Sequence, residues 1–165
     1  MRNLKAGHTG GLDTAMTNDE FRICETILTI YPDVCLSADI RRELLMSRAL
    51  RHDPGDHVQG GPGINPADRY VSAVCDDRAL KDMQMIMTRV ESGFGKLRAE
   101  ERDFVRRYYF AGANDWDAMP QLIYKSRRRV CGKIFFVVIG AYDAVRRYRD
   151  RERERRINAT KKAPV

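Results

Sequence analysis

The sequence predicts an all-α fold: an N-terminal helical region followed by a C-terminal trihelical helix-turn-helix. Three observations carry this. Apolar residues recur at spacings of three and four through most of the chain. Helix-start signals stand at Thr17-Asn18-Asp19-Glu20, at Asn65-Pro66 and at Ser126. The stretch from Leu97 to Val145 divides into three successive helical patterns, the last opened by Arg127-Arg128-Arg129.

Length and charge bound what such a fold can do. With 165 residues and 43% hydrophobic content, the chain has enough apolar surface for one domain or two small ones. The net charge of +7 is unevenly spread. Residues 1–97 hold 12 Lys/Arg against 14 Asp/Glu, and residues 98–165 hold 18 against 9. All the excess positive charge therefore lies in the half with the helix-turn-helix pattern, which suits a polyanion. A solubilising basic face is the alternative reading of the charge alone. Cys24, Cys35, Cys75 and Cys131 form no C-x-x-C pair and have no histidine at zinc spacing, so they read as free thiols in a reducing cytosol, with no metal and no cofactor. No apolar signal segment opens the chain, and the longest apolar run, Ile134 to Tyr142, is too short to span a bilayer.

Taken in order, residues 1–16 are glycine-rich and aperiodic and read as a flexible arm. Residues 17–50 read as a helical pair. Thr17 and Glu20 form the capping box of the first helix, Pro32 ends it, and a second starts near Ser37. Residues 51–64, with Asp53-Pro54-Gly55 and Gly60-Gly61-Pro62-Gly63, read as a linker. Residues 65–96 form a connecting helix capped by Asn65 with Pro66 at its first position. From Leu80 its apolar residues follow heptad spacing through Met83, Met87, Val90, Phe94 and Leu97. Two heptads favour packing inside one core, with a homodimer as the alternative. Gly93 and Gly95 mark the end of this helix.

Residues 97–150 are the helix-turn-helix domain. Its first helix buries Phe104, Val105, Tyr108 and Tyr109 and exposes Glu100, Glu101, Arg102 and Arg106. Gly112-Ala113-Asn114 is the loop, and the second helix carries Trp116, Met119 and Ile123 on a core-facing side. A turn at Tyr124 leads to the third helix, with Ser126 as N-cap and Val130, Ile134, Val137 and Ala141 as core stripe. Lys125, Ser126, Arg128 and Arg129 then fall on the face available to base edges, with Arg127 and Lys133 placed for phosphates. Gly132 lets the backbone approach a duplex. Phe136 and Ile139 make the rest of this helix apolar all round, so they call for cover from the N-terminal helices or a second subunit. Residues 151–165 are a basic tail.

Leu97-x-x-x-Glu101-Arg102-x-x-x-x-x-Tyr108, then Trp116-x-x-Met119, then Ser126 with Arg129-Val130, resembles phage late-gene transcriptional regulators of the ArpU/RinA type, themselves similar to sigma factor region 4. The resemblance implies an all-helical protein in the cytoplasm of a bacterial host that binds promoter DNA of late genes for packaging and lysis. Pro120 and Tyr124 depart from the family's usual small residue and turn glycine. Two other readings stand beside it: a small terminase-like packaging component, and a sigma-like factor that contacts RNA polymerase. The chain does not read as an enzyme. His8, His52 and His57 lie in loops, Glu100-Glu101 opens a helix, and no nucleophile–base pairing or phosphate-cradling loop is present.

Overall fold

The computed structural model describes residues 16–51, 65–111 and 120–162. They are helical throughout, with no strand among them. The elements are α1 (Asn18–Leu50), α2 (Pro66–Asp76), α3 (Arg78–Phe94), α4 (Ala99–Val105) with a wide π turn (Arg106–Phe110), α5 (Pro120–Val138), a 3₁₀ turn (Ile139–Ala141) and α6 (Tyr142–Lys162). Ile134 to Ile139 is therefore helix and turn, as expected. Residues 1–15 of the arm, residues 52–64 of the linker, the three histidines and the segment holding Trp116 and Met119 lie outside the described residues.

The start signals behave as their chemistry requires. Thr17 Oγ1 accepts from the Glu20 N–H at 3.2 Å, and the Glu20 carboxylate accepts from the Thr17 N–H at 2.8 Å. Asn65 Oδ1 accepts from the Ala67 N–H at 3.0 Å ahead of Pro66. Pro32, however, does not end the first helix: α1 runs unbroken for 33 residues. The proline removes one hydrogen bond, at a cost of about 3 kcal/mol. Burial of Ile27 and Leu28 before it and Val34, Ala38 and Leu45 after it, each worth about 1.5–3 kcal/mol for the larger side chains, outweighs that loss. The connecting helix, read as one piece, instead breaks at Asp77. That residue ends α2 and caps α3, accepting from the Leu80 N–H at 2.8 Å, while Arg41 of α1 grips the same carboxylate at 2.6 Å.

One core runs through α1, α3, α5 and α6, with the α4 unit closing one end. The heptad residues Leu80, Met83, Val90 and Leu97 sit inside it, joined by Ile86, so the seam packs within the chain. Gly93 lies where α3 crosses α5; a Cβ there would stand 3.3 Å from Ile134 Cβ and Val138 Cγ1. The missing side chain lets the two helices approach this closely. Val138, not Val137, completes the α5 core stripe, and Phe135 is buried beside it. Tyr148 brings α6 onto α1 through its hydroxyl, 3.0 Å from Ser37 Oγ.

Candidate nucleic-acid interface

α5 starts at Pro120 and passes through Tyr124 and Ser126 without a turn. Proline suits a first helical position, where its missing N–H costs nothing, and no glycine follows to reverse the chain. Ser126 is thus an interior helical residue and caps nothing. The helix that carries the arginines is longer at its start than the sequence reading allowed.

This continuous helix divides its basic side chains into two groups. Arg127 points at the core. Its guanidinium bonds Glu25 of α1 at 2.5 Å and lies 5.3 Å from the centre of the Tyr108 ring. Tyr109 donates to the same carboxylate at 2.8 Å, and burial pushes its phenol well above the ordinary tyrosine range. Arg127 therefore ties α5 to α1 and is not placed for phosphate. Arg128 is held at the start of α1, donating to Asn18 Oδ1 at 2.9 Å, to the Met16 carbonyl and to Tyr124 Oη at 3.0 Å, with its plane over Phe21.

Lys125 and Arg129 make up the second group. With Gly132 and Phe136 they follow spacings of four, three and four, opposite the buried stripe of Val130, Ile134 and Val138. All four are exposed. Nothing lies within 4 Å of a Cβ placed on Gly132, and Phe136 is 79% exposed. The expected cover of Phe136 by the N-terminal helices is thus not found: the core stripe of α5 is already filled by Phe135 and Val138, and Phe136 faces the other way. Ile139, by contrast, is partly buried against the core.

Lys133 sits at the edge of this strip and pairs with Glu101, whose second cation is Arg129 at 3.7 Å. Glu101 was expected on the surface, but it is 6% exposed. Its other oxygen accepts from the Arg98 N–H at 3.0 Å, closing the first turn of α4. Burial works to raise its pKa, and the hydrogen bonds from Lys133 and Arg98 overcome this and hold the carboxyl below its ordinary value. The strip thus presents Lys125, Arg129 and Lys133 against one carboxylate, and its surplus is positive.

A further row was only partly legible in the sequence. Past the 3₁₀ turn, the tail continues as the regular helix α6, anchored by Arg147 and Arg151, which clasp the buried Asp82 of α3 at 2.6 and 2.9 Å. Its outward arginines recur at helical spacing, a period hidden in the sequence by the interspersed glutamates. No group of side chains among the described residues has the make-up of a metal site, and no described helix is long and apolar enough to cross a membrane. No family model, curated protein or solved structure matches the chain.

Proposed function

We propose that this protein binds double-stranded DNA through the outer strip of α5 and acts as a sequence-specific transcriptional regulator of phage or prophage late genes. One observation carries the DNA reading: Lys125, Arg129 and Lys133 flank the bare backbone of Gly132 on an uncovered helix face. Such a face offers a guanidinium fork for guanine and an ammonium for phosphate, and lets the helix approach closely. The late-gene role rests on the likeness to ArpU/RinA-type regulators in Leu97, Glu101, Arg102, Tyr108, Trp116, Met119, Ser126 and Arg129-Val130. Of the expected interface, Lys125, Arg129 and Lys133 stay in this reading; Arg127 is turned to Glu25, Arg128 is held by Asn18, Met16 and Tyr124, and Ser126 is half-buried inside the helix. RNA polymerase contact belongs to the alternative, sigma-like reading, and the heptad seam that a homodimer would have used is filled by the chain's own core.

The test is a salt titration of binding to the late-promoter region and to random duplex. Arg129→Ala should cost about 1–3 kcal/mol on the specific site and little on random DNA. Lys125→Ala should weaken both alike and flatten the salt dependence by about one unit of slope. A double variant at Lys125 and Arg129 that holds its promoter as tightly as the parent sinks the proposal.

A further inference from the structure

The tail helix and α1 enclose a hollow of about 390 Å³ on the molecular surface. Arg22 of α1 and Arg146, Arg149 and Arg153 of α6 line it, over a floor that includes Ile23 and Val145. A second hollow next to it shares Arg149 and Arg153 and adds Arg156, with the carboxylates of Asp33 and Glu152 on its lining. Among the described residues none of these five guanidinium groups has an ion pair or a hydrogen bond. Their neighbours differ: Arg147 and Arg151 on the same helix are spent on Asp82, and Arg155 is paired with Glu152. The cations on α6 are thus sorted by face, with one side fixing the fold and the other left open.

Four like charges around one hollow repel each other, and Asp150 is the one carboxylate on its lining. This arrangement gains free energy when an anion enters. The shape of the row says which anion. Arg146, Arg149, Arg153 and Arg156 lie at spacings of three, four and three along α6, so the row extends over about 15 Å at about 1.5 Å per residue. A linear array of cations matches a linear array of phosphates, and duplex DNA carries one charge per about 1.7 Å of its axis. We propose that the α1–α6 hollow binds the sugar–phosphate backbone of double-stranded DNA, as a contact separate from the α5 strip and without sequence preference. The choice of DNA rests on the reading of the α5 strip; the site and its anion do not.

The experiment uses the full chain with the quadruple variant R22Q/R146Q/R149Q/R153Q, its all-lysine counterpart, and Asp150→Asn. Binding to a random-sequence duplex is followed by anisotropy across a salt series, with poly-glutamate as a second probe and the promoter duplex alongside. Each lost phosphate contact lowers the salt slope by about 0.9, so the glutamine variant should lose about three to four units and bind at least about tenfold more weakly. The lysine variant should keep most of the slope, because a phosphate contact needs charge more than a planar fork. Asp150→Asn should bind about two- to fivefold more tightly, which misfolding does not imitate. An unchanged slope in the glutamine variant overturns this site and leaves the α5 reading intact. A lower slope in the glutamine variant, with a parent that shows no promoter preference, keeps this site and removes the α5 reading. A parent that binds no duplex removes both. Poly-glutamate binding lost in the glutamine variant with duplex binding unchanged assigns the hollow to an acidic protein segment and overturns the proposal.

Discussion

Glu101 holds two roles of opposite consequence. Its carboxylate closes the first turn of α4 through the Arg98 N–H and neutralises Lys133 and Arg129 on the proposed DNA face. Glu101→Ala should therefore destabilise the fold by about 1–2 kcal/mol, the usual cost of losing a helix-start bond, because both partner cations keep access to water. The same change leaves two cations unopposed, so affinity for duplex DNA should rise. Denaturant unfolding and a binding titration on one preparation read both effects, and a loss of both stability and affinity contradicts this account. Gly132 gives a second pair of opposed readouts. With open space around it, Gly132→Ala should stabilise α5 by about 0.5–1 kcal/mol through helix propensity, while its methyl group weakens a close approach to the duplex. Phe136 was expected to need cover and lies 79% exposed. Phe136→Glu should accordingly leave the thermal midpoint unchanged and weaken DNA binding by adding an acid to the basic strip; a large drop in midpoint would show that the ring is buried in solution.

At the scale of elements, what the sequence disclosed depended on whether local chemistry or tertiary packing set the boundary. Thr17-Glu20 and Asn65-Pro66 were legible because a cap is a local bond between neighbours. Pro32 misled because its penalty is local, whereas the burial that overrides it comes from α3, α5 and α6 lying against both halves of α1. Asp77 went unread because it sits inside an apolar period that continues past it; Arg41, 36 residues away, is the partner that helps fix it. The supposed turn at Tyr124 had no glycine to make it, and Pro120 was a helix start mistaken for a helix interior. Arg127 was assigned outward by its place in a run of arginines; the helical phase of an uninterrupted α5 turns it to Glu25. The helix ends beside Gly93 and Gly95, at Phe94, as expected, but Gly93 is also a contact point. Gly93→Leu should thus cost more than helix propensity predicts, about 1–3 kcal/mol or more of overpacking against Ile134 and Val138. A variant as stable as the parent in urea would mean that α3 and α5 do not meet at this residue.

The whole molecule is held by one apolar core and, around it, by carboxylates that each join two or more elements. Asp77 joins α1 to α3, Asp82 joins α3 to α6, and Glu101 joins α4 to α5. In all three, burial works to raise the pKa and is overcome by hydrogen bonds, from Arg41 to Asp77, from Arg147 and Arg151 to Asp82, and from Lys133 to Glu101; each carboxyl titrates below its ordinary value. A carboxyl with a lower pKa in the folded state binds fewer protons there than when unfolded, so stability rises with pH across that interval. The contribution is complete above the ordinary values, 3.8 for the aspartates and 4.5 for the glutamate, and is lost as pH falls through and below them. The fold should therefore keep its stability down to about pH 5 and lose it steeply below. Asp82→Asn isolates one joint. It keeps the shape, removes the charge that both α6 arginines clasp, and should flatten the acid side of the stability profile while lowering stability at neutral pH. Because α6 carries the open arginine row, the same variant should also loosen the tail helix and weaken binding to random duplex. Urea unfolding between pH 3 and pH 7, on parent and variant, checks the first part; parallel curves separated by a constant offset would show that Asp82 has the same pKa in the folded and the unfolded chain.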